Sequence, residues 1–216
     1  MPAAAGRLFL LSPANCSGRR AGILLRDGST LPIVARLHDG GLSLGEAFAF
    51  VSGLYFRGKL AYALAFGRAP DGTPVQPLVI TPTRGLLPAE TPATADLLRE
   101  FARVDIAAAG PRYLEPLERD LERLAGGLGT TARVVLLGSV ATGKYVDVLS
   151  KWLGPRLHYP TSFVGRGDMS RGGLLLRSAA AGEELEYGPL TAGIRPRGPR
   201  PPKLGPAAVS ARRLGA

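Results

Sequence analysis

The chain has 216 residues, 45% of them hydrophobic, which suits one sizeable core and is short for two full domains plus a tail. Its formal net charge is +10, yet Arg195, Arg197, Arg200, Lys203, Arg212 and Arg213 follow residue 188 in a stretch without an acid, leaving +4 on the body. No apolar stretch approaches the roughly 18–20 residues of a membrane span. Met1–Leu11 lacks a secretory pattern, and the single cysteine, Cys16, excludes an internal disulfide and a cysteine-rich zinc site. The expected location is the cytoplasm, with no membrane partner.

In chain order, Leu8–Leu11 reads as a short buried strand running into the small, polar loop Ser12–Gly18. Gly22–Leu25 and Pro32–Leu37 flank Asp27-Gly28, a hairpin-turn pair, and Pro32 would put that hairpin at a sheet edge. Ser43 and Glu46 form a capping box at the start of an apolar helix ending near Gly53. A second helix is expected over Tyr55–Phe66, with Leu60, Ala63 and Leu64 on its apolar face and Gly67 as its stop.

Leu78–Thr81 is the next strand, followed by a turn over Pro82–Pro88. Thr91-Pro92 opens a helix to about Val104. Tyr113–Ala125 is another, with Leu114, Leu117, Leu121 and Leu124 at helical spacing. Val134–Leu137 reads as a central buried strand, and Lys144 and Tyr145 open a helix that Gly154-Pro155 ends. Leu157–Tyr159 is a short strand and Pro160–Asp168 a loop. Met169–Ala181 is a helix that Gly172 and Gly173 weaken by about 1 kcal/mol each, and Glu184–Tyr187 a last edge strand.

Strands alternating with helices imply an α/β domain over residues 1–188. It would have a mostly parallel central sheet, helices on both faces and an N-terminal edge hairpin. Residues 189–216, rich in proline, glycine and arginine, read as a disordered basic tail. Ligands in such sheets sit beyond the carboxyl ends of the strands. Three polar loops leave there: Ser12–Gly18, Pro82–Pro88 and Gly138–Lys144. The last fits G-x-x-x-x-G-K, but Tyr145 stands where a phosphate-binding loop needs a magnesium-holding hydroxyl. The spacing therefore supports anion reception at a helix start and argues against nucleoside-triphosphate hydrolysis.

Several stretches occur in an order that resembles the YaaA-like peroxide-stress family and its small bacterial and phage relatives. Leu10–Asn15 is similar to the family's Ser-Pro-Ala-Lys motif, with Asn15 in the lysine's place. Leu54–Ala63 resembles its tyrosine-containing helix, and Ile80–Pro88 its strand and Gly-Leu-x-Pro loop. Leu136–Ser139 with Tyr145, and Gly165–Arg171, resemble its later segments. The resemblance spans about residues 8–177 and implies a compact α/β fold with DNA binding and a role in oxidative stress. The motif lysine is lost here, so its role is either absent or supplied by Lys144.

The catalytic candidates are Asp168, as a general base, and Lys144. The candidates for binding substrate or nucleic acid are Ser12, Asn15, Arg84, Ser139, Tyr145, Arg166 and Arg171. Arginine forks suit phosphate and carboxylate, and the Asn15 amide suits a base edge. Asp168 has an equally good reading as a helix cap, and Cys16 reads as a small buried residue. His38 and His158 lack metal spacing, so neither a metal nor a cofactor is expected. Three functions are compatible with these residues. The first is a nucleic-acid-associated protein, DNA favoured over RNA, whose pocket takes a nucleotide or displaced base and could act in modification, repair or stress protection. If that protein is an enzyme, cleavage or exchange at a glycosidic bond is the expected reaction. The second is a small-molecule enzyme acting on a free nucleoside, nucleotide or other phosphorylated metabolite. The third is a noncatalytic binding module.

Overall fold

The computed structural model describes residues 6–140, 143–191, 193, 196–199 and 201–202, with Gly143 and Lys144 described as backbone alone. At its centre lies β1 (Arg7–Leu11), parallel to β2 (Leu78–Ile80) on one side and to β4 (Arg133–Leu137) on the other. A third strand, β3 (Leu86–Pro88), returns antiparallel to β2. On the other wing β5 (Leu157–Pro160) is parallel to β4, and β6 (Tyr187–Pro189) closes the edge antiparallel to β5. The sheet order is β3-β2-β1-β4-β5-β6, mostly parallel, and the α/β class is as the alternation of elements implied.

The central strands are buried on both faces, as continuous apolar runs require. Phe9, Leu11, Val135 and Leu137 enter one core, and Leu10, Val134 and Leu136 enter the other. The first core is covered by α1 (Arg19–Leu24), α2 (Pro32–His38), α3 (Leu44–Ser52), α4 (Leu54–Phe66), α5 (Ala95–Ala102) and α8 (Asp168–Ala181). The second is covered by α6 (Pro111–Gly127) and α7 (Gly143–Leu153).

The expected N-terminal hairpin is absent: its two arms are α1 and α2. The buried residues are Ala21 and Leu24 in one arm, Val34 and Leu37 in the other. A spacing of three matches a helix face and not the period of two of a strand. Pro32 occupies the first helical turn, where its missing N–H costs nothing, and Gly28 turns the chain between the helices at φ 70. The Ser43–Glu46 capping box forms as expected. The helix expected from Thr91 begins later, at Ala95, with the Thr94 side chain accepting from the Leu97 N–H. The last strand begins later too, and Leu190 beyond it is buried, its N–H donating to the Leu157 carbonyl. The basic segment from residue 203 onward lies outside the described residues, as do Arg195 and Arg200.

The expected apolar face of α4 is only partly right. Leu64 is exposed, and the buried residues are Tyr55, Phe56, Gly58, Lys59, Tyr62 and Ala63. This helix is enclosed because α8 crosses it at backbone distance. A Cβ on Gly58 would lie 2.9 Å from the Gly172 Cα, and one on Gly172 would lie 2.7 Å from the Tyr55 Cα. The crossing sets Tyr55 and Lys59 beside the start of α8.

A second close approach fixes the β2–β3 hairpin on α6. Gly85 holds φ 64, and an added Cβ would overlap the Pro116 carbonyl and the Asp120 carboxylate. Asp120 meanwhile accepts the Leu86 N–H at 3.0 Å. Gly85→Ala is expected to destabilise the fold by about 3 kcal/mol, from left-handed backbone strain plus overpacking. A shift of the urea midpoint worth under about 1 kcal/mol would mean that the hairpin moves freely on α6.

Candidate functional site

The sheet order reverses at β1. The chain leaves β1 toward β2 and leaves β4 toward β5, so the crevice outside the carboxyl ends of β1 and β4 is the topological switch point where such sheets bind ligands. All three anticipated loops leave the carboxyl ends of parallel strands, and the loop after β5 joins them there.

At this edge lies a cavity of about 610 Å³, lined by Pro13–Ser17, Pro82, Phe101–Ile106 and Tyr145. Asn15 and Tyr145 are thus brought together. The Asn15 side-chain carbonyl accepts from the Ser17 N–H at 3.0 Å and the Ser17 hydroxyl at 2.7 Å, a local turn that commits the oxygen. Its amide N–H groups carry no bond to another described residue. Tyr145 is buried in the first turns of α7, and desolvation pushes its phenol upward from the ordinary tyrosine value. The carboxylate in the cavity wall is Asp105, which the sequence reading passed over. It also accepts the Ala107 N–H at 2.8 Å.

The other candidates are placed differently. Arg84 faces a neighbouring cavity of about 650 Å³ with Thr83, Arg112 and Arg119. Its guanidinium forks onto Glu100 at 2.8 and 2.6 Å. Hydrogen bonds from Arg84 and then Thr83 pull the Glu100 carboxyl below its usual value. Arg166 donates to the Ser162 carbonyl at 3.0 Å, the Ser170 hydroxyl at 3.2 Å and the Pro202 carbonyl at 3.4 Å. Arg171 is buried and donates to the Phe163 carbonyl at 3.3 and 3.2 Å. These two arginines therefore strap the loop after β5. Asp168 is the first residue of α8, after the cap position Gly167, and its exposed carboxylate pairs with Arg171 at 3.5 Å. Ser139 is half-buried where the loop after β4 begins. The Lys144 side chain lies outside the described residues. Cys16 is buried, and desolvation lifts its thiol to about 12, which leaves it protonated and inert as a nucleophile at neutral pH.

The residue that sequence reasoning missed packs against Ser12, the position that precedes the cavity wall at Pro13. Lys59 is 1% exposed, and its Nζ lies 2.6 Å from the Ser12 carbonyl oxygen and 3.0 Å from Ser12 Oγ. It lies 4.6 and 4.5 Å from the Tyr55 and Phe56 ring centres, and it forms no ion pair with a described carboxylate. Desolvation drives its pKa down to about 7, against an upward pull from Asp168. The Tyr55 hydroxyl nearby is buried beside the Arg171 guanidinium. Burial raises that phenol to about 12, offset in part by the Arg171 charge. The available signal was a second cation, two residues after Arg57, inside a helical run, Leu54–Phe66, whose other residues are apolar, aromatic or glycine.

Among the described residues no group of three His, Cys, Asp or Glu side chains could hold a metal ion. No helix formed by them is long and apolar enough to cross a membrane. Comparisons with protein-family models, with curated proteins and with solved structures gave no match.

Proposed function

We propose that the carboxyl edge of the sheet receives a nucleotide or a displaced base, and that the chain is a nucleic-acid-associated protein, with DNA favoured over RNA. The observation that carries this reading is the 610 Å³ cavity at the switch point, with the Asn15 amide and Tyr145 in its wall. That volume falls within the range of small-molecule sites. The Asn15 N–H groups suit the acceptor edge of a base, and a net charge of +10 attracts phosphate backbones. Extruding a base costs a few kcal/mol, so single strands and damaged sites are the preferred substrates. A role in DNA modification, repair or stress protection, in keeping with the YaaA-like resemblance, is part of the same proposal.

The test is a salt titration of binding to a labelled single-stranded oligonucleotide. Affinity is expected to fall by at least tenfold between 50 and 200 mM salt, roughly as the release of several phosphate counterions requires. Asn15→Ala is expected to weaken binding by about tenfold at fixed salt, the value of one base-edge contact. No affinity at low salt, or affinity indifferent to salt, overturns the reading.

A second reading, an enzyme acting on a free nucleoside or nucleotide, is favoured by the concavity of the site. A chain ending at Pro202 separates the two. It keeps Leu190 and the Pro202 carbonyl that Arg166 uses, while removing Lys203, Arg212 and Arg213. Retained mononucleotide binding with lost oligonucleotide binding would favour the second.

A further inference from the structure

We infer that Ser12 is a nucleophile for acyl transfer, with Lys59 as the base that takes and returns its proton, and that the substrate class is a carboxylic ester or amide. This goes beyond the nucleotide-binding reading and does not depend on it. The geometry is that of a serine–lysine dyad: Ser12 Oγ and Lys59 Nζ are 3.0 Å apart, within hydrogen-bond reach. At rest Lys59 Nζ donates to the Ser12 carbonyl at 2.6 Å and to Ser12 Oγ at 3.0 Å, while the Ser12 hydroxyl donates to the Leu137 carbonyl at 3.4 Å; a neutral amine takes the hydroxyl proton on its lone pair once that long bond to Leu137 is given up.

An ammonium would be costly in this position. The side chain is fully buried between β1 and two aromatic rings, and it forms no ion pair with a described carboxylate. The groups around it are Ser12 from the end of β1, Tyr55 from α4, and Asp168 and Arg171 from α8. A buried lysine held near neutrality is the state in which an amine serves as a base.

In the first half of the reaction, Ser12 Oγ bonds to the carbonyl carbon as its proton passes to Lys59 Nζ. The bond to the leaving alcohol or amine breaks, and Lys59 returns the proton to it. In the second half, water gives a proton to Lys59 and attacks the acyl-serine, releasing the acid and restoring the hydroxyl. Ser12 is 5% exposed and directly precedes the cavity wall at Pro13, so a substrate must lift the Ser12–Gly18 turn to reach it. Basal reactivity is therefore low, and a small probe is the proper one.

The experiment treats the full chain with a fluorophosphonate, with intact mass and peptide mapping as readouts. A single adduct on Ser12 is expected, formed with loss of fluoride, at a rate that climbs with pH and levels off above a midpoint near 7. Ser12→Ala abolishes the adduct. Lys59→Met and Lys59→Arg each slow it by at least 100-fold with the circular dichroism spectrum unchanged, since arginine keeps the charge and the donors but cannot act as a base. No adduct, an adduct elsewhere, or labelling indifferent to both Lys59 variants overturns the inference. Should neither variant fold, the wild-type profile decides: a rate still climbing tenfold per unit above pH 9 refutes the dyad.

Discussion

Gly172→Ala is expected to destabilise the protein by about 3 kcal/mol or more, while Gly173→Ala, one residue along the same helix, is neutral or stabilising by up to about 1 kcal/mol. On propensity alone the two should behave alike, since each glycine weakens a helix to the same degree. Their surroundings separate them. A Cβ on Gly172 would meet the Leu54 carbonyl and the Tyr55 Cα, both at 2.7 Å, and backbone cannot step aside. A Cβ on Gly173 meets nothing nearer than an Arg177 nitrogen at 3.7 Å, an ordinary contact. Urea denaturation of the three proteins checks this. Equal effects at both positions would show that α4 and α8 can separate without penalty. Gly172→Ala should also disturb the site, because this crossing holds Tyr55 and Lys59 against the start of α8.

The second large effect is a rise in stability with pH. Lys59 has a folded pKa near 7 and an unfolded one near 10.5. Between those values the unfolded chain holds a proton that the folded chain does not, so stability increases as the pH rises. From pH 7 to 9 the gain is about 2 kcal/mol, at about 1.36 kcal/mol per unit once the folded amine is neutral. Above pH 9 the trend is opposed. Cys16, lifted to about 12, and the buried tyrosines stay protonated in the fold while the unfolded chain ionises. The sign for those groups is the reverse: their folded values lie above the unfolded ones, and stability is lost as the pH climbs past the unfolded values. Lys59→Met should abolish the rise between pH 7 and 9. An equal rise in the variant would assign the effect to other groups and leave Lys59 charged in the fold.

The α/β class was legible because β1 and β4 are continuous apolar runs separated by amphipathic helices, and such a pattern has few other solutions. The loops at the carboxyl ends were legible for the same reason, since connectivity alone sends them to one edge. The N-terminal arms were misread because an Asp-Gly pair and a proline between short apolar runs are compatible with a hairpin and with two helices. Local signals of that length do not settle the period; packing of Ala21, Leu24, Val34 and Leu37 onto the sheet does. The face of α4 was misread because apolar residues surround it, so no stripe stands out until α8 covers the face bearing Gly58.

The amino-acid order by itself set the alternation of elements, the capping box at Ser43, the stops at Gly67 and Gly154, and the edge of the sheet where a site should lie. Each is a local property of spacing and turn chemistry. The tertiary structure decided the partners: Arg84 is drawn to Glu100, Arg166 and Arg171 to backbone carbonyls, and Lys59 to Ser12, 47 positions away in the chain. Burial, and with it the shift of an amine toward neutrality, arises only when distant segments exclude water together, which no short stretch of sequence records.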